Sequence, residues 1–250
     1  MMLRRLSIIL CAALTLLCAK ASQTETLHYK VVYKWGLIHK QGGRATFTLT
    51  DNGRTAHAIM AARTEPWADH FFSVRDTLTT EFDSATRLPR VYNRIAHEDG
   101  AYAHDVVTFT SNGQKSSAKC SRTRRGKKEK TNTRTDISLE AEGPAVDLLS
   151  SFYYIRHLDF NKMKPGHAVR LNIFSGKRKE LLTISYKGIE KIKTDQGERE
   201  AYKVTFMFTS EGRKRTSEPI EAWLATDARR TPLKLVGDIK VGKIQCIYVP

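Results

Sequence analysis

From about residue 26 onward, apolar and polar side chains alternate with a period of two, in runs broken by turn residues. That pattern belongs to half-buried strands. Leu27, Tyr29, Val31, Tyr33 and Trp35 alternate with Thr26, His28, Lys30 and Lys34, and Gly36, Gly42 and Gly43 interrupt before Ala45, Phe47 and Leu49. Asp51-Asn52-Gly53 reads as a hairpin turn, because Asn and Gly tolerate positive φ. Phe72, Val74, Leu78 and Phe82 share a register, and Glu98-Asp99-Gly100 and Ser111-Asn112-Gly113 mark further turns. Alternation resumes at Val169, Leu171 and Ile173, turns at Ser175-Gly176-Lys177, and returns through Leu182, Ile184 and Tyr186. Turns at Asp195-Gln196-Gly197 and Glu211-Gly212 flank a strand around Tyr202 to Phe208; Glu221 to Ala225 and Leu233 to Val249 follow. Roughly a dozen strands are predicted. The fold class is therefore all-β: a large antiparallel meander, curled into a barrel or half-barrel because wide sheets with exposed edges invite aggregation.

One segment departs from this period. Gly143-Pro144 precedes Ala145 to Leu158, which has helical spacing. Pro suits the first turn of a helix. Asp147 near the start and Arg156 and His157 near the end match the helix dipole. Asp147, Ser150, Ser151 and Tyr154 share one face, and apolar side chains cover the rest, so a buried helix is predicted near 144–158.

The N-terminus obeys neither pattern. Arg4 and Arg5 precede an unbroken apolar run from Leu6 to Leu17, and Ala19-Lys20-Ala21 follows. This is the make-up of a secretory signal peptide cut after Ala21, too short to span a bilayer. A periplasmic or extracellular location is expected, with residues 22–250 as one β domain, soluble or peripheral to a membrane. Cys120 and Cys246 are then the two thiols that an oxidising compartment would allow to pair. The chain carries 42 Lys and Arg against 26 Asp and Glu. That excess favours anionic envelope partners such as lipid phosphates or acidic glycans, and export argues against nucleic acid. Residues 115–135 concentrate the basic charge and read as a hairpin around Gly126. They suit either a solvated hairpin wetted on both sides or a polyanion dock, the first being preferred.

Candidate chemistry is sparse. Arg156 falls on the apolar face of the helix, one turn beyond Phe152, and Asp76 falls in the inward register between Val74 and Leu78. A charge aimed into a core is costly unless paired, so these two are expected to meet. The connector Thr226 to Pro232 holds Asp227, Arg229 and Arg230. Its residues fit a turn, and its paired arginines also suit phosphate or carboxylate. Trp67, after Pro66, is the best candidate for an exposed aromatic, whereas Trp35 and Trp223 continue strand registers and are expected in the core. His97 and His104 would flank a hairpin tip without metal-site spacing. No nucleophile elbow or Gly-rich phosphate loop is present, and nothing points to a cofactor.

The segments KWGLIHKQGGRATFTL, VRDTLTTEFD, DLLSSFYYIRHLDF, ISYKGIEKIKTDQGE and EAWLATDARRTPLKL resemble the domain-of-unknown-function 3108 family, exported proteins of Gram-negative bacteria. The resemblance implies an envelope location and an all-β fold, and lends no catalytic residue. The function expected is non-enzymatic: an envelope protein binding an anionic or amphiphilic ligand, a lipid or glycan, with Trp67, Asp76, Arg156, Asp227, Arg229 and Arg230 as candidate ligand residues. Alternatives are an assembly factor docking on another envelope protein, or a hydrolase with a dispersed site.

Overall fold

The computed structural model describes residues 22–250 apart from 175, 177, 211–217 and 240–241. The predicted leader, residues 1–21, lies outside the described residues, as do the Glu211-Gly212 turn and most of the turn at Ser175-Gly176-Lys177. Fifteen strands form one sheet. They are β1 (Gln23–Trp35), β2 (Ile38–Asp51), β3 (Thr55–Thr64), β4 (Val74–Asp83), β5 (Pro89–Glu98), β6 (Ala101–Ser111), β7 (Lys115–Arg125) and β8 (Thr133–Glu142). Then come β9 (Ala145–Val146), β10 (Ala168–Phe174), β11 (Lys179–Thr194), β12 (Gly197–Ser210), β13 (Ile220–Ala225), β14 (Pro232–Asp238) and β15 (Lys243–Val249). Among the described residues two α-helices interrupt them, α1 (Pro66–Asp69) and α2 (Leu148–His157), the second followed by a 3-10 turn at Phe160–Lys162.

The order is β8-β7-β6-β5-β4-β3-β2-β1-β15-β14-β13-β12-β11-β10-β9, so two meanders join where the first strand pairs with the last. Every pairing is antiparallel except β9 with β10. The two ends of the order approach one another: the Asn172 side-chain amide on β10 donates to the Glu142 carbonyl at 2.8 Å, at the end of β8. The result is a nearly closed barrel. Hairpin chemistry sets the registers. The Asn52 side chain accepts from the Arg54 and Thr55 amides, Gly53 has φ of 82°, and the β2–β3 ladder runs from there.

Alternate residues of each strand face the lumen, and α2 fills it. Leu149 and Tyr153 pack on Ala58, Leu78, Phe82, Tyr92, Val107 and Cys120. Ile155 packs against the other half, with Leu171, Leu182, Ile184, Val204 and Leu224. The helix begins later than the sequence predicts. Pro144 and Ala145 are not its first turn, because Ala145 and Val146 add a parallel strand to β10, and Asp147 is the N-cap. The face holding Asp147, Ser150 and Ser151 is buried rather than wet. Asp147 Oδ1 accepts from the Leu149 and Ser150 amides at 2.7 and 2.8 Å, and Thr80 Oγ1 donates to its Oδ2 at 2.7 Å. These polar groups satisfy the helix start inside the core.

Two more expectations are corrected, and the open question of the cysteines is answered. Residues 115–135 do form a hairpin, but it is not wetted on both sides: Ser116, Ala118 and Cys120 are buried, and Arg122 and Arg124 turn inward. Trp35 leaves the core at the hairpin tip and is 54% exposed. Cys120 and Cys246 are free thiols on distant strands, and burial pushes each up to about 11.

Candidate functional site

Strand registers stack three spaces along the lumen. Leu49, Phe47 and Gly43 follow one another in that order along the inward face of β2, with Ala45 between the last two, and each lines a different one.

The first is a basin of about 730 Å³ at the end where β1 begins and β2 finishes, bordered by Glu25, Asp51, Arg87, Arg156, Arg229 and Arg230. The β13–β14 connector builds its basic side. Asp227 Oδ1 accepts from the Arg229 and Arg230 amides at 3.0 Å each, and Arg230 takes φ of 46°. This turn aims the connector back at the end of α2. The Arg229 carbonyl accepts from Arg156 Nε and Nη2 at 3.2 and 3.0 Å, and Arg230 Nη1 donates to the Arg156 carbonyl at 3.2 Å. Arg156, Asp227, Arg229 and Arg230 are thus brought together.

Asp76 is not with them, and the expected Asp76–Arg156 pair does not form. Arg156 bonds Glu25 instead, Nη1 and Nη2 each donating to one carboxylate oxygen at 2.7 Å. The physical reason is axial position. Glu25 is level with Leu49, Ala58 and Thr80 across the sheet. Asp76 lies four residues further along β4, roughly 13 Å away at the usual strand rise. A charge in the right register was found, but at the wrong height.

In the basin Arg87 pairs with Asp51 at 3.0 Å. Arg230 stands 4.0 Å from Asp159, and among the described residues no carboxylate lies within ion-pair distance of the Arg229 guanidinium. His157 is held below its ordinary value by burial, then by Arg87 and Arg230. The basin therefore holds more fixed positive than negative charge. Its lining is more polar than apolar: Gln23, Thr24, Thr26 and Thr231 stand beside Leu27, Leu49, Tyr153 and Tyr248.

The second space, about 260 Å³, lies beneath α2 and is almost wholly apolar, bounded by Phe47, Met60, Phe152, Phe206 and Leu235. Phe47 and Phe152, which both border it, are stacked with centroids 4.5 Å apart. The third, about 740 Å³, opens at the far end, where β1 finishes, and holds Trp67. Trp67 is half-buried: its Nε1 donates to the Gln41 carbonyl at 2.7 Å and Lys40 Nζ sits 4.4 Å from its ring centre.

Asp76 belongs to a charged patch on the lumen wall of β4–β7 that sequence reading missed. Leu78, Arg94, Asp105 and Arg122 form one lateral row, and Asp76, Ala96, Ala103 and Arg124 the next. Arg94 Nη2 lies 3.5 Å from Asp76 and 2.5 Å from Glu98. Burial, then the neighbouring Glu98 carboxylate, raise the Asp76 carboxyl above its ordinary value. Asp105, 1% exposed, accepts from Arg122 Nε at 3.0 Å and from Arg124 Nη2 at 2.6 and 2.7 Å. The missed signal was parity: Asp105 is two residues from Val107, and Arg122 two from Cys120. His97 and His104 do not face each other; their cross-strand partners are Tyr102 and Ile95. Among the described residues no three His, Cys, Asp or Glu side chains converge as a metal site.

Residues 28–246 match the model of DUF3108, a family of proteins of unknown function. The chain belongs to the DUF3108 family. A search of the curated proteins found no match. Among solved structures the chain is similar to a β-barrel-like protein of the DUF1849 domain of unknown function from Brucella abortus, at 10% identity and a TM-score of 0.58. The alignment covers 93% of this chain and 98% of that one, and establishes a shared fold.

Proposed function

We propose that this DUF3108 protein is an exported, non-enzymatic binding protein of the cell envelope that takes an anionic amphiphile at the arginine basin. The observation that carries this reading is the charge surplus of Arg229 and Arg230 at a largely polar basin of about 730 Å³ that also borders Leu27, Leu49, Tyr153 and Tyr248. That volume is in the range of small-molecule sites. Guanidinium groups bind phosphate and carboxylate bidentately. Arg156 is already engaged by Glu25, so it fixes the connector, while Arg229 and Arg230 present charge to the ligand. The ligand body lies along Leu27, Leu49, Tyr153 and Tyr248. Export is supported by the leader composition of residues 1–21.

A second reading, an assembly factor docking through a sheet edge, is favoured by β8, which has β7 on one side and no ladder partner on the other among the described residues. A hydrolase would rest on Asp76 and Glu98, but Arg94 bridges them and neither borders the basin.

Calorimetric titration with monomeric dodecyl phosphate and, separately, dodecyltrimethylammonium tests the proposal. Saturable binding of the phosphate alone, lost in the Arg229→Glu/Arg230→Glu double variant, is expected. Equal uptake of both detergents, or full binding by the double variant, would overturn it.

A further inference from the structure

The far end of the barrel presents a different chemistry. Among the described residues ten large hydrophobic side chains are exposed, and six gather here: Trp35, Leu37, Ile38, Phe71, Phe72 and Ile239. They come from three separate segments: the β1–β2 hairpin tip, the stretch after α1, and the β14–β15 turn. All but Leu37 line the 740 Å³ space, and Leu37 projects from the tip between Trp35 and Ile38, fully exposed. Hydrogen bonds and strand pairing hold two of the three segments. Trp35 pairs with Ile38 across the hairpin, the Phe71 and Phe72 amides both donate to the Ala68 carbonyl, and Trp67 is bonded to the Gln41 carbonyl. Scattered surface apolar residues need no explanation, but a contiguous exposed cluster marks an interaction site.

Charge identifies the occupant. Lys243, Lys34 and His39 are direct neighbours across β15, β1 and β2, forming a basic row beside the collar. Lys40 stands over Trp67 and Arg63 borders the same opening. The nearby acids are already engaged: Glu65 by Arg44, Asp69 by Arg75 and Asp238 by Lys243. Protruding aromatic and aliphatic tips flanked by Lys34, Lys40 and Arg63 match an anionic bilayer, in which the apolar tips enter the headgroup boundary and the cations meet lipid phosphates. We infer that this end of the barrel docks on the surface of an anionic phospholipid membrane, leaving the arginine basin at the opposite end facing away from it. This goes beyond ligand binding in the basin and does not depend on it.

Flotation with sized vesicles tests the inference, using protein whose mass shows residues 1–21 absent, since a retained apolar leader would itself bind lipid. The protein is expected to float with phosphatidylglycerol-containing vesicles at low salt and to be released as salt rises, with little binding to pure phosphatidylcholine. Lys34→Ala and Lys40→Ala should each weaken partitioning about fivefold. Leu37→Asp/Phe71→Asp should abolish flotation without shifting the melting temperature, because both side chains are exposed. Arg229→Glu should float like the parent. The inference is overturned if the parent stays at the bottom with anionic vesicles or if the Asp variant floats equally. It is also overturned if sedimentation shows a dimer, lost in the Asp variant, in place of vesicle binding; that outcome assigns the collar to a second copy of the chain.

Discussion

The Arg156–Glu25 pair ties the end of the internal helix to the first strand, and a double-mutant cycle reads its strength. Two parallel bonds of 2.7 Å join the side chains, which are 9% and 22% exposed. Solvent-exposed ion pairs contribute about 0–1 kcal/mol. Breaking a buried one costs about 3–5 kcal/mol. This pair lies between those limits, so a coupling energy of about 2 kcal/mol is expected for Glu25→Gln with Arg156→Gln. Arg156→Gln alone should cost more, about 3 kcal/mol, because it also removes the two bonds to the Arg229 carbonyl. With a denaturant slope near 3 kcal/mol per molar for a chain of this size, the urea midpoint falls by about 1 M. The control cycle, Asp76→Asn with Arg156→Gln, should couple by less than about 0.5 kcal/mol, as expected for distant sites. Coupling of Asp76 at the strength expected for Glu25, or none for Glu25, would refute the placement of the helix within the lumen.

Two further perturbations probe the buried charges. Burial raises the Asp147 carboxyl from 3.8 to about 6. Because the folded value lies above the unfolded one, the fold holds this proton longer, and stability is lost as pH rises from about 4 to 6, by about 3 kcal/mol. Asp147→Asn keeps the cap and removes that slope, so it should match the parent at pH 4 and exceed it at pH 7. Asp147→Ala should lie about 1–2 kcal/mol below the Asn variant at either pH, through the lost cap, and an unchanged slope in the Asn variant would contradict the assignment. Asp105→Asn leaves Arg94, Arg122 and Arg124 without their shared counter-charge, and should cost about 3–5 kcal/mol in chemical denaturation; a loss below about 1 kcal/mol would show that these guanidinium groups reach water.

Strand alternation made the barrel legible, because a wall with one wet and one dry face writes its geometry directly into residue parity. The Asp51-Asn52-Gly53 and Ser111-Asn112-Gly113 turns were equally local, each closing on its own side chains. What parity does not encode is height along the barrel, since that depends on every intervening hairpin. Asp76 was correctly turned inward yet assigned a partner two inward positions away. The helix start failed for a related reason: Pro144 favours a first turn, but parallel pairing of Ala145 and Val146 with β10 is a long-range contact that overrides it. Trp35 shows the reverse limit, an inward register that continues past the covered part of the lumen and ends in solvent. The convergence of Arg156 with Arg229 and Arg230, separated by more than seventy residues, rests on backbone carbonyl contacts that no side-chain pattern announces.

Native mass spectrometry of the protein isolated from the cells that make it addresses ligand binding most directly. The account predicts a defined, non-covalent mass increment belonging to an anionic amphiphile, retained by the parent and absent from Arg229→Glu/Arg230→Glu protein prepared in parallel. A parent that flies at its bare polypeptide mass under conditions preserving the fold, or an increment that survives the double variant, would contradict it.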